Sequence, residues 1–349
     1  MAEFLKEEDY NDSFELETWK KIIGYILPQR KLLVIAVGIM ALVAALETMF
    51  PLMSRYAIDT FLAEGFQKSE SYKLLIFGGV YMVGVAIFAF LIRTFIVYAG
   101  RIETETAAQL REKAFRRLQE LPFSYYDKTP TGWVMARMTS DSRKLSNILA
   151  WGLIDVVWSV MLMIIIIIII MIVNVKLALI TLSVVPLLVI VAIYFRKKIL
   201  VEWRDVRKTN SKITAGFSEG IMGATTTKTL VLEDKHSTEF GAITSRMRKG
   251  SIRAVTLTSL LWPIVLFLGY AGTSLSLYFG GVEVFNAVIA LGTLFMFIPY
   301  SMQFFEPVLT LANILSQFQH GHAAAERIIS VIERPIDFPV NDEVVVHEI

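Results

Sequence analysis

Six long apolar stretches constrain this chain more than any other feature of its sequence. They cover residues 32–53, 74–97, 149–173, 177–195, 257–279 and 288–314. Crossing the ~30 Å hydrocarbon core of a bilayer takes roughly 20 mainly apolar residues in a helix, and each stretch meets that length. The third contains seven consecutive isoleucines, Ile164 to Ile170. Such a run has weak helix propensity in water. In lipid every backbone N–H and C=O must be satisfied within the segment, which leaves the helix as the solution. Buried core strands are the competing reading, and they would have to be several times longer than ordinary strands. The predicted fold class is all-α, a membrane protein with six transmembrane helices. At 55% hydrophobic residues, a soluble domain would expose apolar patches large enough to aggregate.

The basic residues set a topology. Of 34 Lys and Arg, 29 lie before span one, between spans two and three, between spans four and five, or after span six. Four lie in the other connections (Arg55, Lys68, Lys73 and Lys176), and Arg93 lies inside span two. This bias predicts cytoplasmic termini and a multi-pass protein of the cell membrane. Residues 1–18 hold seven acidic residues and read as a cytosolic lead-in, the reverse of a secretory signal with its basic start. A net charge of +2 gives no reason to expect nucleic acid as a partner. The chain has no cysteine, which excludes disulfides and thiol chemistry. Its four histidines, His236, His320, His322 and His347, form no metal-ligand pattern, so no metal is expected.

The connections say more about function than the spans do. Two outer connections are short (174–176 and 280–286), whereas the two inner ones run to about 50 and about 60 residues. Both carry apolar residues at helical spacing, as in Ala107, Leu110, Ala114, Phe115 and Leu118, and again across 206–220. Two readings stay open: amphipathic helices lying on the lipid surface, or spans two to five continuing as helices into the cytosol. In the second case about 25 further residues would reach roughly 40 Å beyond the membrane. Each connection must also reverse. Pro122 and the breakers from Lys128 to Gly132 frame a short aromatic tip, Phe123, Ser124, Tyr125, Tyr126 and Asp127. The second reversal falls between Gly220 and Glu239, with Gly223 at its start and Leu230, Leu232 and Glu233 within it. Exposed apolar groups at a hairpin tip are costly unless they enter a partner's pocket, so both tips are candidate docking knobs.

Charges inside a span default to a functional reading with a named partner. Arg93 and Asp155 fall at similar depth by residue count, with Glu306 near that level, and a structural ion pair of Arg93 with Asp155 is the expectation. Snorkelling of Arg93 to the headgroups is the alternative. Glu47 lies roughly 24 Å along span one, and a water-filled cavity that attracts cationic amphiphiles would accommodate it. Span six carries Phe297, Tyr300 and Phe304 on one stripe. Packing accounts for most aromatics of this kind, and a minority would line a substrate cavity, with Trp158 and Trp262 as weaker candidates. Pro186, Pro263, Pro299 and Pro307 interrupt spans as bending points.

These features, in this order around six spans, resemble the transmembrane domain of type IV ABC exporters, the family of bacterial multidrug and lipid exporters. The resemblance runs from about Trp19 to Pro339. It rests on an amphipathic elbow at 19–30; on Leu121 to Asp127 followed by Thr131, Gly132, Arg137, Thr139 and Asp141; and on Glu219, Gly223, Lys228, Glu233 and Phe240. It also rests on Leu291 to Leu294, Pro307, and Ala324 to Ile328. The resemblance implies a lead-in at 1–18, a transmembrane domain at 19–330 and a linker at 331–349. It further implies a domain-swapped dimer with an identical or different second half, in a plasma membrane of bacterial inner-membrane type. The two tips would be coupling helices that contact nucleotide-binding domains. The implied function is ATP-driven export of amphiphilic compounds by alternating access, with ATP and Mg bound in those domains and no cofactor in this chain. No Gly-x-x-x-x-Gly-Lys-Ser/Thr phosphate loop occurs in the sequence. This chain alone is therefore not expected to be an enzyme, and the expectation is a polypeptide truncated before its ATPase domain. A channel or receptor regulator on the same scaffold is one alternative. The other is an unrelated six-helix secondary transporter, which would need inverted repeats and glycine-broken helices at mid-membrane.

Overall fold

The structure, a computed structural model, describes residues 24–25, 27–62 and 71–335. The expected lead-in, most of the expected elbow, and positions 336–349 of the expected linker lie outside the described residues. So do the side chains of His320 and His347.

Every regular element among the described residues is helical. A 3-10 turn, Leu27–Gln29, leads into α1 (Arg30–Ala57), which closes in a π-helical turn, Ile58–Leu62. α2 (Ser71–Glu120) and α3 (Phe123–Lys128) follow. Span three is approached through α4 (Thr131–Ala136), a π turn (Arg137–Asp141), α5 (Ser142–Asn147) and a second π turn (Ile148–Gly152) before α6 (Leu153–Val173). The rest comprises α7 (Val175–Leu182), α8 (Val184–Met222), α9 (Ala224–Thr229), α10 (Glu233–Phe285), α11 (Leu291–Gln303) and α12 (Phe305–Ile332). Six helical runs are long and apolar enough to cross a membrane, in agreement with the six predicted spans. At ~1.5 Å per residue, α2 and α10 extend about 75–80 Å each, more than twice the hydrocarbon thickness. The inner connections are thus continuations of the spans.

Two helix breaks follow from proline chemistry. A proline removes the N–H that would bond the carbonyl four residues earlier. α7 ends at Leu182, four before Pro186, and α11 ends at Gln303, four before Pro307. Pro263 and Pro299, by contrast, sit inside continuous helices. Span six was expected from 288, yet its helix starts at Leu291. The reason is a Schellman closure of α10, in which Val288 N donates to Glu283 O and Ala287 N to Val284 O, with Ala287 at φ 54°.

The chain separates into two compact units. The first takes the described parts of Met1–Met53, Thr60–Ile166 and Thr310–Ile349, and the second takes Ser54–Asp59 and Ile167–Leu309. In the first unit, Leu110, Leu145, Ile148, Leu149, Ala325, Ile328 and Ile329 form a core shared by α2, α5, the second π turn and α12. A second core, Ala36, Phe95, Ala99, Ile102, Ala150 and Ile154, joins α1 and α2 to the approach of span three. Polar ties cross the same helices. Arg327 forks onto both oxygens of buried Asp141 at 2.7 and 2.8 Å. The Glu103 carboxylate accepts from Trp151 Nε1 at 2.8 Å and Asn147 Nδ2 at 3.1 Å. Buried Gln29 meets Thr106 on α2.

The second unit packs helices closely through small residues. Along one face of α10, Gly269, Gly272, Ser276 and Gly280 are buried. A Cβ on Gly280 would lie 2.6 Å from Leu294 Cδ1, so a larger residue there would force the Leu294 side chain to shift. Ser276 Oγ stands 2.9 Å from Thr181 Oγ1 and 3.3 Å from Ser301 Oγ, a hydroxyl contact across three helices. Glu283, buried, is met by Lys176 at 3.1 Å and by Asn174 Nδ2 at 2.8 Å, while Asn174 Oδ1 caps α7 through Leu177 N. Asp59 Oδ1 accepts from Gly292 N at 2.7 Å, placing a carboxylate at the N-terminus of α11, where the helix dipole favours it.

Candidate functional site

The first tip, α3, is built from a hairpin of α2 and the approach to span three. Pro122 precedes it, and Tyr125 N bonds to Pro122 O at 3.0 Å. Successive residues of this six-residue helix point about 100° apart, so its aromatics divide between faces. Tyr125 turns inward, 7% exposed, and packs with Ala114, Leu118, Leu121 and Val331. Tyr126 stays partly exposed and donates its hydroxyl to Leu118 O at 2.6 Å. Phe123 is 89% exposed, and Ser124 and Asp127 are exposed beside it. Of the expected knob, then, Phe123, Ser124, Tyr126 and Asp127 form the presented surface, and Tyr125 is the internal anchor that holds it. Tyr125, expected with its neighbours as part of the docking tip, lies inside the hairpin's own core.

The second tip, α9, is made differently. Gly223 terminates α8, its N–H donating to Glu219 O at 2.7 Å. A Cβ at Gly223 would lie 2.8 Å from that same oxygen, so the turn is tight enough to require glycine. α9 then closes in a Schellman motif, with Val231 N donating to Lys228 O at 3.4 Å and Leu232 N to Thr227 O at 2.9 Å. The residue in the left-handed position is Val231, at φ 52°, where a β-branched side chain is a conformational outlier. No residue of α9 is buried. Leu230 and Val231 are 60% and 81% exposed, Glu233 is exposed, and Leu232 and Gly223 are half-buried. Ile221 and Met222 add exposed apolar surface at the end of α8. Behind them Phe217 and Phe240 pack at 4.8 Å between ring centroids, beside a groove of ≈ 360 Å³ that Ile221, His236 and Ile243 also line.

Within the spans, Trp158 Nε1 on α6 donates to Glu47 Oε2 on α1 at 3.3 Å, both side chains half-buried. This bond brings together two of the residues singled out as cavity candidates. The expected Arg93–Asp155 pair does not form. Arg93 is exposed on α2, two residues and about 200° around the helix from Phe95, which faces the core, while Asp155 is half-buried on α6. Matching depth put them at one level, but helix rotation points Arg93 away. Glu306 is exposed at the start of α12 in the other unit. Phe297, Tyr300 and Phe304 are all at most 1% exposed, so this stripe is buried and lines no accessible surface. Trp262 is 59% exposed on α10.

Sequence reasoning missed the clamp of Asp141 by Arg327 and the π turns that precede span three. A π turn inserts one residue and shifts the faces that follow it, and no residue pattern in 137–152 signals it. Among the described residues no group of His, Asp and Glu could hold a metal ion.

The chain also matches known proteins. The model of the ABC transporter transmembrane region matches residues 33–308. The uncharacterized ABC transporter ATP-binding protein YknU of Bacillus subtilis is 26% identical over 323 residues, 92% of this chain and 54% of that protein. The ATP-dependent lipid A-core flippase of Syntrophus aciditrophicus is 23% identical over 342 residues, 97% of this chain and 56% of the flippase. A fatty acid ABC transporter ATP-binding/permease protein of Mycobacterium tuberculosis is 29% identical over 239 residues, 67% of this chain and 37% of that protein. The chain thus spans about half the length of the first two relatives, at 54% and 56%. Six apolar helical spans, helices that run far beyond bilayer thickness, and a family match over most of the sequence agree: this chain belongs to the ABC transporter transmembrane region family.

Proposed function

We propose that this chain is the membrane-spanning half of an ATP-driven exporter of amphiphilic compounds, working by alternating access. The observation that carries the reading is the pair of tips at the ends of helices far longer than a bilayer is thick. Phe123 at one tip, and Leu230 and Val231 at the other, present apolar side chains that the chain itself leaves uncovered. A soluble partner docked on both tips would transmit its own closure into the spans. Nucleotide-binding domains are that partner, a reading supported by relatives named as ATP-binding proteins; ATP and Mg would be held there and not in this chain. On this reading both termini and both tips face the cytoplasm, as the basic-residue bias requires. A second membrane half, identical or different, completes the transport path. Residues 19–330 form the membrane domain and 331–349 the linker that leaves it. The coupling residues are Phe123, Ser124, Tyr126 and Asp127 at the first tip, with Gly223, Leu230, Leu232 and Glu233 at the second.

For the substrate path we propose the Glu47–Trp158 pair. A carboxylate held beside an indole inside an apolar span suits a cationic amphiphile, through charge and ring face together. Lipid or fatty-acid cargo is the neighbouring class, since relatives carry those names.

The test is reconstitution of this chain with nucleotide-binding domains in liposomes, with ATP hydrolysis and efflux measured against cationic, neutral and anionic amphiphiles. Stimulated hydrolysis and ATP-dependent efflux are expected, with Glu47→Gln reducing the cationic response several-fold more than the neutral one. Absence of both stimulation and efflux for every class would sink the exporter reading.

A further inference from the structure

We infer that the end of α12 is latched to the first tip through Arg117, Arg334 and Tyr125, so that this tip and the chain leaving α12 move as one body. All three residues belong to the first unit. Arg117, on α2, donates from Nε and from Nη2 to the backbone carbonyl of Arg334, and its Nη1 stands 2.8 Å from Glu120 Oε2. That carbonyl lies beyond the last turn of α12, where helix carbonyls have no partner of their own. The Arg334 guanidinium in turn stands 5.2 Å from the centre of the Tyr125 ring, within cation–π range. Tyr125 is the anchor of the first tip, and the same small core holds Val331 from α12. About one turn before Val331, Arg327 forks onto Asp141. The helix end is therefore gripped from both sides up to Arg334, one residue before Pro335.

Two details favour a positioning role over ordinary packing. The Arg117 fork reads a main-chain oxygen, so it fixes the path of the backbone, whatever side chain stands at 334. The Tyr125 hydroxyl makes no hydrogen bond among the described residues, whereas its ring face meets the Arg334 guanidinium. On the exporter reading above, on which the consequence for coupling rests, a partner domain attached beyond residue 335 would receive the first tip and its covalent tether from one rigid body. Arg117, Arg334 and Tyr125 are then positioning residues for coupling, although none touches nucleotide or substrate.

The chain has no cysteine, so spin labels can be placed at will. Labels at Ser124→Cys and Pro335→Cys in the full chain in lipid nanodiscs should give a single narrow distance distribution by double electron–electron resonance. Arg117→Ala should broaden it at least twofold. Arg117→Lys, which keeps charge but loses the fork, should fall between. Tyr125→Phe should leave the width unchanged, and Arg334→Ala, which keeps the carbonyl but loses the ring contact, should broaden it less than Arg117→Ala. An unchanged width in Arg117→Ala overturns the latch. Should that variant fail to insert, the Arg117→Lys and Arg334→Ala widths decide in the same way. In assemblies with nucleotide-binding domains, Arg117→Ala should also lower the amount transported per ATP hydrolysed several-fold. A latch seen by spin labels in a chain that supports no transport would refute the exporter reading and leave the latch standing.

Discussion

The two tips solve one problem by opposite means. The first is organised from within: Tyr125 is buried in a core of four other residues, Tyr126 bonds to Leu118 O, and the chain leaving α12 sets Arg334 over the ring. The second has no buried residue in its helix and is held by backbone bonds at Gly223 and Val231. Its apolar side chains point outward. A tip with its own core keeps its shape without a partner, whereas a tip held by main-chain and threonine hydrogen bonds, with no buried residue in its helix, draws most of its side-chain contacts from elsewhere. On the proposed exporter reading, the first tip would suit transmitting force and the second being gripped.

The contrast breaks most visibly at Tyr125. Replacing a buried aromatic by alanine removes its contacts and leaves a cavity, at a cost of about 3 kcal/mol. Tyr125→Ala should lower the thermal unfolding midpoint of the purified chain by several degrees in scanning fluorimetry, while Leu230→Ala should leave it within the error of measurement. Equal effects at the two positions would erase the difference between the tips.

A smaller effect is expected one layer above the first tip. Arg327→Ala leaves the Asp141 carboxylate buried without its fork, and breaking such a pair costs about 2 kcal/mol where one partner keeps some solvent contact. Asp141→Asn in the Arg327→Ala background should recover part of the loss, because a neutral amide is cheaper to bury than an unpaired charge. The measurement is the denaturation midpoint of the two single variants and the double. Strict additivity would show that the two residues do not act as a pair.

How far the sequence foretold this differs between axis and angle. Position along each helix was legible: the spans follow from apolar length, the reversals from Pro122 and Gly223, and the breaks at Leu182 and Gln303 from prolines four residues on. Direction around the helix was not. Arg93 and Asp155 share a depth, but rotation separates them. Phe297, Tyr300 and Phe304 make the same stripe whether they line a cavity or fill a core, and here they are buried. Tyr125 reads like its neighbours Phe123 and Tyr126 until the helix assigns it the inner face. The π turns at 137–141 and 148–152 make this worse for span three, because each shifts every later residue around the axis. Glu47 and Trp158 stood out singly, because a carboxylate and an indole inside spans have few ways to be satisfied, but their contact was not foretold.

The sharpest test of the contrast carries the smallest energy and reverses its sign. Val231 holds a left-handed conformation at φ 52°, which costs an L-residue about 1–2 kcal/mol. Glycine would remove that cost but forfeit roughly 0.5–1 kcal/mol through the greater freedom of the unfolded chain. Since Val231 is 81% exposed, little packing is lost, and Val231→Gly should stabilise the second tip by about 0.5–1 kcal/mol. The readout is slower amide exchange at Leu232, whose N–H closes the turn on Thr227 O. If the valine serves a partner, the same variant should reduce amphiphile-stimulated ATP hydrolysis in the assembled transporter. A gain in local order with a loss in coupling is the signature of a side chain kept for contact. A gain in both would mean that the second tip is limited by its own flexibility, and that the two tips differ only in degree.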